Sequence, residues 1–246
     1  MQVGIPFYGV IKRLVILNFV VWIIGQMLLD RFLLSAPMLV DFFGFIPYTI
    51  LTSGQVWRFL TYMFLHSTDY WMHIVFNMLT LWLFGSELQQ RWGGRAFLFY
   101  YLAAGMGAAF IYVVGLLIYA LLAGRWDPMM VPVIGASGGV FGVMLAYGIF
   151  FGDRTVYFMM MFPMKARTMV AIVGGIEVVS LLSAGPTGQV ANLAHLGGLI
   201  SGFVYLRVWA HLSKKKAGPG GRKRGRKLRL VVDNEKKTDN EPRYWN

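Results

Sequence analysis

The apolar residues of this sequence occur in blocks that are long enough to cross a lipid bilayer, and this feature constrains the fold more than any other. The first block runs from Leu14 to Leu34, and a membrane-spanning helix needs about 20 such residues. Hydrophobic residues make up 57% of the chain and charged residues only 14%, whereas soluble domains contain about 25% charged residues. The sequence therefore predicts an all-α protein that crosses the membrane several times.

We predict a bundle of six transmembrane helices, at about 11–34, 70–90, 95–122, 136–151, 166–183 and 191–211. The fourth helix is short for a bilayer and follows a loop that contains Gly124 and Pro128. Such a helix can begin below the membrane surface where the loop is buried in protein or lines a wet cavity. The segment 35–69 mixes aromatic and polar residues, which is typical of a segment lying in the plane of the interface.

The basic residues predict the orientation, because cytoplasmic loops carry an excess of Lys and Arg. The helix ends on the side of both termini carry Lys12, Arg13, Arg91, Arg95, Arg154, Lys165 and Arg167, whereas those on the other side carry Arg31, Arg58 and Arg125. We therefore expect both termini in the cytoplasm, and we expect the membrane to be the inner (cell) membrane of a bacterium. The first apolar run is longer than that of a signal peptide, and Pro37 directly after Ser35-Ala36 disfavours cleavage there, so we expect the first helix to be retained. The second, fourth and sixth helices then begin on the outer side.

The net charge of +12 is distributed unevenly along the chain. We therefore predict a membrane domain, 1–211, followed by a basic tail, 212–246. The tail contains twelve Lys or Arg residues and four Asp or Glu residues. Its composition is typical of a disordered segment. The tail lacks the interleaved aromatic residues of a nucleic-acid-stacking surface, so anionic lipid headgroups are the favoured partner and nucleic acid is disfavoured.

Small residues indicate where two helices pack closely. Gly138 and Gly142 are four residues apart on the fourth helix, and Gly198 and Gly202 have the same spacing on the sixth. Such pairs clear a stripe on which a neighbouring backbone can approach. We expect the fourth and sixth helices to touch, with Ser137 near the level of His195.

Ser137 stands among glycines, in Gly135-Ala136-Ser137-Gly138, at the start of the fourth helix. A nucleophilic serine needs a base, donors for an oxyanion and room for a substrate backbone. The glycines leave room, and the free N–H groups of a helix N-terminus are donors. Serine and glycine are also typical of tight helix packing, so this motif alone leaves both interpretations open.

His195 on the sixth helix favours the catalytic interpretation, because ionisable side chains in membrane segments are costly and are functional candidates. A neutral imidazole can accept the serine proton and return it to the leaving amine. A structural histidine that is hydrogen-bonded to a neighbouring helix is the alternative. We predict a Ser137–His195 dyad and assign a structural role to Glu177, since nothing in the sequence places that carboxylate beside His195.

His73 and Asn77 are four residues apart and therefore share one face of the second helix. Both can donate hydrogen bonds to the negative oxygen of a tetrahedral intermediate. The spacing also occurs in zinc metalloproteases, but position 77 is Asn and no Glu follows His73, so the H-E-x-x-H pattern fails. The chain has no cysteine, and we expect neither a metal nor another cofactor.

Taken together, these residues resemble the rhomboid family of intramembrane serine proteases. The resemblance is carried by Trp57-Arg58, His73-x-x-x-Asn77, Gly135-x-Ser137-Gly138-x-x-x-Gly142 and Ala194-His195-x-x-Gly198-x-x-x-Gly202, in the order of the family. It implies Ser137 as nucleophile, His195 as its partner, and an oxyanion hole of His73, Asn77 and the Ser137 N–H. It also implies single-span membrane proteins as substrates, which reach the site near the fifth helix and the loop from Ala184 to Val190.

The sequence departs from the family pattern at two places. His66 lies seven residues before His73 rather than about five, and we assign no role to it. Gln89 stands where the family has an acidic residue, and we expect Glu87 to pair with Arg91 instead. Neither departure affects the dyad.

Two other functions compete with a protease. A catalytically silent relative would bind membrane helices without cutting them, but such relatives generally lack the serine or the histidine. A transporter or channel would use buried polar residues such as Asn18, Gln26 and Glu177 as its pathway, and it would leave the serine and histidine motifs unexplained. The sequence favours the protease and does not determine its oligomeric state or its natural substrate.

Overall fold

The computed structural model describes residues 5–158, 161–188 and 190–216, with the backbone alone described for 184–188, 190, 191 and 214–216. In chain order the helices are α1 (Gly9–Val20), which continues as a π-helix (Val21–Leu34), α2 (Met38–Phe43), α3 (Pro47–Ser53), α4 (Arg58–Thr61), α5 (Met72–Trp92), α6 (Gly94–Ala123), α7 (Ser137–Phe150), α8 (Ala166–Gly188) and α9 (Val190–Lys216). Short 3-10 helices cover Tyr62–Phe64 and Asp127–Met130. The strands β1 (Thr155–Phe158) and β2 (Phe162–Lys165) form an antiparallel hairpin.

Four helical segments in the described part of the chain are long and apolar enough to cross a membrane. They are Gly9–Leu34, Gly94–Ala123, Ala166–Ser183 and Asn192–Ser213. Their outward side chains are apolar: Leu122 is 84% exposed and Leu182 is 79% exposed. Contiguous exposed apolar surface of this kind is typical of contact with lipid. The prediction of an all-α helical membrane bundle is confirmed, and the chain is an integral membrane protein.

The observed helices begin and end close to the predicted positions. The main differences are at the C-terminal ends of α8 and α9, which extend to Gly188 and Lys216. The predicted in-plane segment, 35–69, contains α2, α3 and α4. The β1–β2 hairpin is absent from the prediction, since its strands have only four residues each and are too short for a periodic pattern. The predicted tail from 217 onward lies outside the described residues.

Helix α7 is apolar but shorter than the four candidate membrane spans, and it occupies the centre of the bundle. It has 14 residues, which corresponds to about 21 Å of helix, less than the ~30 Å hydrocarbon core. It packs against α5, α6, α8 and α9. A short central helix therefore places its first residue, Ser137, inside the protein.

The extended segment before α7 has its backbone polar groups satisfied by the segment that precedes α5. Val133 and Phe45 exchange two backbone hydrogen bonds, of 2.8 and 2.9 Å. The N–H of Gly135 donates to the carbonyl of Tyr62 at 3.0 Å. Non-helical backbone at membrane depth is stable only where such partners exist, so these contacts allow α7 to start below the surface.

Glycines lie where α7 and α9 approach each other. A Cβ at Gly198 would overlap the carbonyl of Gly138, and one at Gly202 would lie 3.1 Å from the Cα of Gly142. The hydroxyl of Tyr100, on α6, donates a 2.6 Å hydrogen bond to the Gly142 carbonyl. The close approach of these backbones brings the N-terminal parts of α7 and α9 together.

Arg58 holds the segment before α5 in shape. Arg58 is 3% exposed, and its guanidinium donates to the backbone carbonyls of Gly44 and Asp41 and to the side chain of Gln55. The indole of Trp57 donates to the Phe42 carbonyl at 3.1 Å. Both residues act on the α2–α4 segment and lie away from the cavity described below.

The predicted pairing of Glu87 with Arg91 is wrong. The carboxylate of Glu87 pairs with Arg154 and accepts a 3.2 Å hydrogen bond from Tyr147. Arg91 instead lies over the rings of Phe150 and Phe151, 5.2 and 5.7 Å from their centroids. Pairing with Arg154 links α5 to the segment after α7. An i, i+4 pair of Glu87 with Arg91 would stabilise only α5 itself, by about 0.5 kcal/mol.

Candidate active site

The predicted site residues from three helices line one cavity of about 310 Å³. Ser137 comes from the start of α7, His195 from α9, and His73 and Asn77 from α5. The remaining lining is mostly apolar and consists of Tyr62, Tyr70, Phe76, Thr80, Val133, Ile134, Val140, Phe141, Met144 and Ala194. A concave apolar pocket with a few convergent polar groups is the usual form of a binding or catalytic site.

Ser137 is the first residue of α7, so its backbone N–H has no partner within the helix. The residue two positions before it, Gly135, has φ of +128°, a conformation that L-residues with a side chain rarely adopt. A Cβ at Gly135 would lie 2.7 Å from Nε2 of His73. Glycine at this position therefore permits both the turn into α7 and the close approach of His73.

The hydrogen bonds of His73 indicate which ring nitrogen carries its proton. Its Nδ1 accepts a 3.4 Å hydrogen bond from the backbone N–H of Ser67. In a neutral imidazole one nitrogen accepts and the other carries the proton, so Nε2 is the donor. Since Nε2 is the His73 atom that a Cβ at Gly135 would lie closest to, this N–H lies beside the start of α7.

Asn77 lies one turn after His73 on the same face of α5. Its side-chain amide donates a 2.9 Å hydrogen bond to the His73 carbonyl, with Nδ2 assigned as the donor atom. Asn77 is 6% exposed and still lines the cavity. An amide carries two N–H groups, so one remains for a bound group.

His195 is held by contacts on two sides. Its ring stacks on Phe141, with the centroids 4.2 Å apart and the planes 11° from parallel. Its Nδ1 lies 3.0 Å from Oε1 of Glu177, on α8. The sequence left the position of Glu177 relative to His195 open, and the structure puts the two side chains in contact.

His66 is the residue near this site that the sequence analysis did not assign. It is fully buried, its ring is 5.1 Å from that of His73, and its Nε2 accepts a 3.4 Å hydrogen bond from the Ala136 N–H. Its backbone N–H and carbonyl form two hydrogen bonds with the side chain of Gln26, of 2.8 and 2.9 Å. Gln26, a polar residue in the first apolar helix, is the sequence signal that could have indicated this buried polar contact.

The described residues contain no group of three or more His, Asp or Glu side chains that could hold a metal ion. The polar side chains that line the cavity are two imidazoles, one amide and the hydroxyls of Ser137, Thr80, Tyr62 and Tyr70. Imidazoles, amides and hydroxyls suit proton transfer and oxyanion binding. None of the side chains of the Ala184–Val190 segment, which the resemblance implies as a substrate route, is among those that the structure describes.

Comparison with known proteins gives a consistent result. The family model for the Rhomboid domain matches residues 53–211. The chain is 30% identical over 183 residues to rhomboid protease GluP of Bacillus subtilis, a match that covers 74% of this chain and 31% of the relative. It is 28% identical over 223 residues to the mitochondrial RHOMBOID-like protein 12 of Arabidopsis thaliana, covering 86% of this chain and 60% of the relative.

The matches thus span less than two thirds of the length of these two relatives. The family-model match covers well over half of this chain and includes His73, Asn77, Ser137 and His195. The helical membrane bundle and the family match agree with the resemblance drawn from the motifs, and the chain belongs to the rhomboid family.

Proposed function

We propose that this chain is an intramembrane serine protease that hydrolyses peptide bonds in or next to the transmembrane segments of membrane proteins. The observation that carries the proposal is the shared cavity of Ser137, His195, His73 and Asn77. Rhomboid membership supports a rhomboid-type serine protease at the level of the family.

Ser137 is the nucleophile and His195 the general base. The Ser137 Oγ attacks the scissile carbonyl while His195 takes its proton, and His195 then gives that proton to the leaving amine. The resulting acyl-enzyme is hydrolysed by water, which His195 activates in the same way. The hydrogen bond between a catalytic serine and its base is often long without substrate and tightens only when substrate binds. The shared cavity of Ser137 and His195 is therefore the geometry that supports this pair.

His73, Asn77 and the backbone N–H of Ser137 form the oxyanion hole. Each side chain has a donor available: Nε2 of His73 carries a proton because Nδ1 accepts from Ser67, and the Asn77 amide has an N–H beyond the one that it donates to His73. The Ser137 N–H is free at the helix N-terminus. Preorganised donors of this kind stabilise the negative oxygen of a tetrahedral intermediate.

The substrates are single-span membrane proteins, since the cavity lining below Ser137 is apolar, with Phe76, Val140 and Met144. A transmembrane segment must unwind locally to present its carbonyl, which favours small and helix-breaking residues at the cut. No cofactor is required by this chemistry.

The chain lies in the inner (cell) membrane of a bacterium with both termini in the cytoplasm. The support is the excess of Lys and Arg at the helix ends on the side of the termini, and the basic tail then lies near anionic headgroups. Because the chain has no cysteine, single cysteines introduced after Phe42 and near the C-terminus can be labelled without background. A membrane-impermeant maleimide added to intact spheroplasts should label the cysteine after Phe42 and not the one near the C-terminus. Labelling of both cysteines would contradict the orientation.

Cleavage of a tagged single-span substrate in liposomes tests the activity. Wild-type protein is compared with Ser137→Ala and His195→Ala, and folding of each variant is checked by its thermal unfolding in detergent. Cleavage by the wild type and none by the folded variants supports the dyad. Retained cleavage in both variants contradicts it.

The competing function is that of a catalytically silent protein that binds membrane helices. If no member of a varied panel of single-span substrates is cut, but co-purification shows that wild type and Ser137→Ala bind those helices equally, the silent function replaces the protease.

A further inference from the structure

The contact between Glu177 and His195 joins the only described carboxylate on α8 to the proposed general base. Oε1 of Glu177 lies 3.0 Å from Nδ1 of His195, and the two side chains are 13% and 18% exposed. The other carboxylate oxygen, Oε2, is buried and has no hydrogen-bond partner among the described residues. The carboxylate is thus aimed at the imidazole rather than held by a network of its own.

The surroundings make this carboxylate costly to keep. Its neighbours on α8 are Ile176 and Val178, which are 53% and 43% exposed, and the helix is apolar enough to cross a membrane. A carboxylate within such a segment is costly unless it finds a partner. The partner that this carboxylate has is Nδ1 of His195.

We propose that Glu177 is a positioning residue for His195. The inference rests on the proposed protease function. Glu177 accepts the hydrogen bond of Nδ1–H, which leaves Nε2 unprotonated and able to accept a proton from Ser137. The carboxylate and the stacked ring of Phe141 together fix the orientation of the imidazole.

The proton balance of the step is simple. The Ser137 O–H bond breaks as Oγ bonds to the substrate carbonyl carbon, and the proton goes to Nε2. His195 is then an imidazolium with both nitrogens protonated, and the carboxylate of Glu177 stabilises that charge without taking the proton itself. When the proton passes to the leaving amine, the Nδ1–H tautomer is restored.

A structural link between α8 and α9 would use the same contact, and two substitutions separate the two roles. Glu177→Gln keeps the size and an acceptor oxygen, so a structural link survives while the charge is lost. Glu177→Asp keeps the charge on a shorter side chain. The matched control is Glu87→Gln, which makes the same change at a carboxylate that pairs with Arg154 outside the cavity.

The first measurement is kcat and KM for cleavage of a single-span substrate in liposomes. We expect Glu177→Gln to lower kcat by about 10- to 1,000-fold, within the range of general acid–base effects, with KM changed by less than about twofold. We expect Glu177→Asp to be more active than Glu177→Ala, and Glu87→Gln to match the wild type. An unchanged kcat in both Glu177→Gln and Glu177→Ala overturns the proposal, while the protease itself stands on Ser137→Ala.

The second measurement does not depend on activity. Protein labelled with ¹⁵N-histidine in detergent contains four histidines, and His195 is assigned by comparison with His195→Ala. We expect its neutral ring to be protonated at Nδ1 in the wild type and to become a mixture of tautomers in Glu177→Ala. The same tautomer in both proteins overturns the positioning role, even if no substrate is cut and the protease function has failed.

Discussion

The backbone N–H of Ala136 donates a 3.4 Å hydrogen bond to Nε2 of His66. A fully buried histidine before α5 thus supports the residue that immediately precedes the proposed nucleophile. The contact requires a neutral imidazole, because a protonated Nε2 could not accept the hydrogen bond. The position of the start of α7 is therefore linked to the protonation state of His66.

The first prediction concerns stability at low pH. His66 lies outside the membrane-spanning helices. Its pKa is lowered from 6.5 to about 3, mainly by burial and secondly by the repulsion that a protonated His66 would have with a protonated His73. Unfolded His66 takes up a proton near pH 6.5, whereas folded His66 does so only near pH 3. The contribution of neutral His66 to stability is therefore full above pH 6.5. It is lost as the pH falls from 6.5 to about 3, by at most about 1.4 kcal/mol per pH unit.

Thermal unfolding in detergent between pH 7 and pH 4 measures this dependence. We expect His66→Gln, which keeps an acceptor but does not titrate, to have a flatter profile than the wild type. His211→Gln removes an exposed histidine at the end of α9 and is the control. Equal slopes for His66→Gln and the wild type would contradict the role given to His66.

The second prediction concerns the oxyanion hole. His73→Ala and Asn77→Ala each remove a donor that lines the cavity, and we expect kcat to fall by about 100- to 1,000-fold with the fold intact. Gln90→Ala, at an exposed position of α5 outside this cavity, is the control and should cut at the wild-type rate. Full activity in both donor variants would rule out this assignment.

The third prediction concerns the packing of α7 on α9. A Cβ at Gly198 would overlap the Gly138 carbonyl, whereas a Cβ at Gly175 on α8 would have no atom within 4 Å. We expect Gly198→Ala to lower the free energy of unfolding by about 1–3 kcal/mol. Gly175→Ala should leave it unchanged or raise it by up to about 1 kcal/mol, because alanine favours a helix.

Unfolding of both variants in the same detergent checks the packing prediction, and the liposome assay reports the effect on the site. Because Gly198 lies one turn after His195 on α9, we also expect Gly198→Ala to reduce cleavage. Equal stability of the two alanine variants would show that Gly198 of α9 and Gly138 of α7 are too far apart for a Cβ at Gly198 to overlap the Gly138 carbonyl.

The fourth prediction concerns Arg58. Its buried guanidinium donates to two backbone carbonyls and one side chain, a set that a lysine ammonium cannot reproduce in the same plane. We expect Arg58→Lys to destabilise the protein by about 1–3 kcal/mol, the cost of buried groups left unsatisfied. Arg31→Lys, at an exposed ion pair with Asp69, should change stability by less than about 1 kcal/mol.

The helices were predictable because in lipid each backbone polar group must be satisfied within its own segment. Leu14 to Leu34 could hardly form anything but a helix once its length and hydrophobicity were known. The residues with chemical function were also visible, since Ser137 and His195 are polar groups in segments where polarity is costly. The short β1–β2 hairpin lacked such a signal.

The sequence by itself therefore determined the helical membrane fold, the approximate helix ends and the residues worth testing. Only the tertiary structure decided which side chains meet: Glu177 with His195, His66 with Ala136, and Glu87 with Arg154 rather than Arg91. In a soluble helix the polar face indicates its rotation, but in a membrane helix the lipid-facing and protein-facing sides are both apolar. The rotation and depth of each helix are thus set by packing between segments distant in the chain, and these decide the contacts.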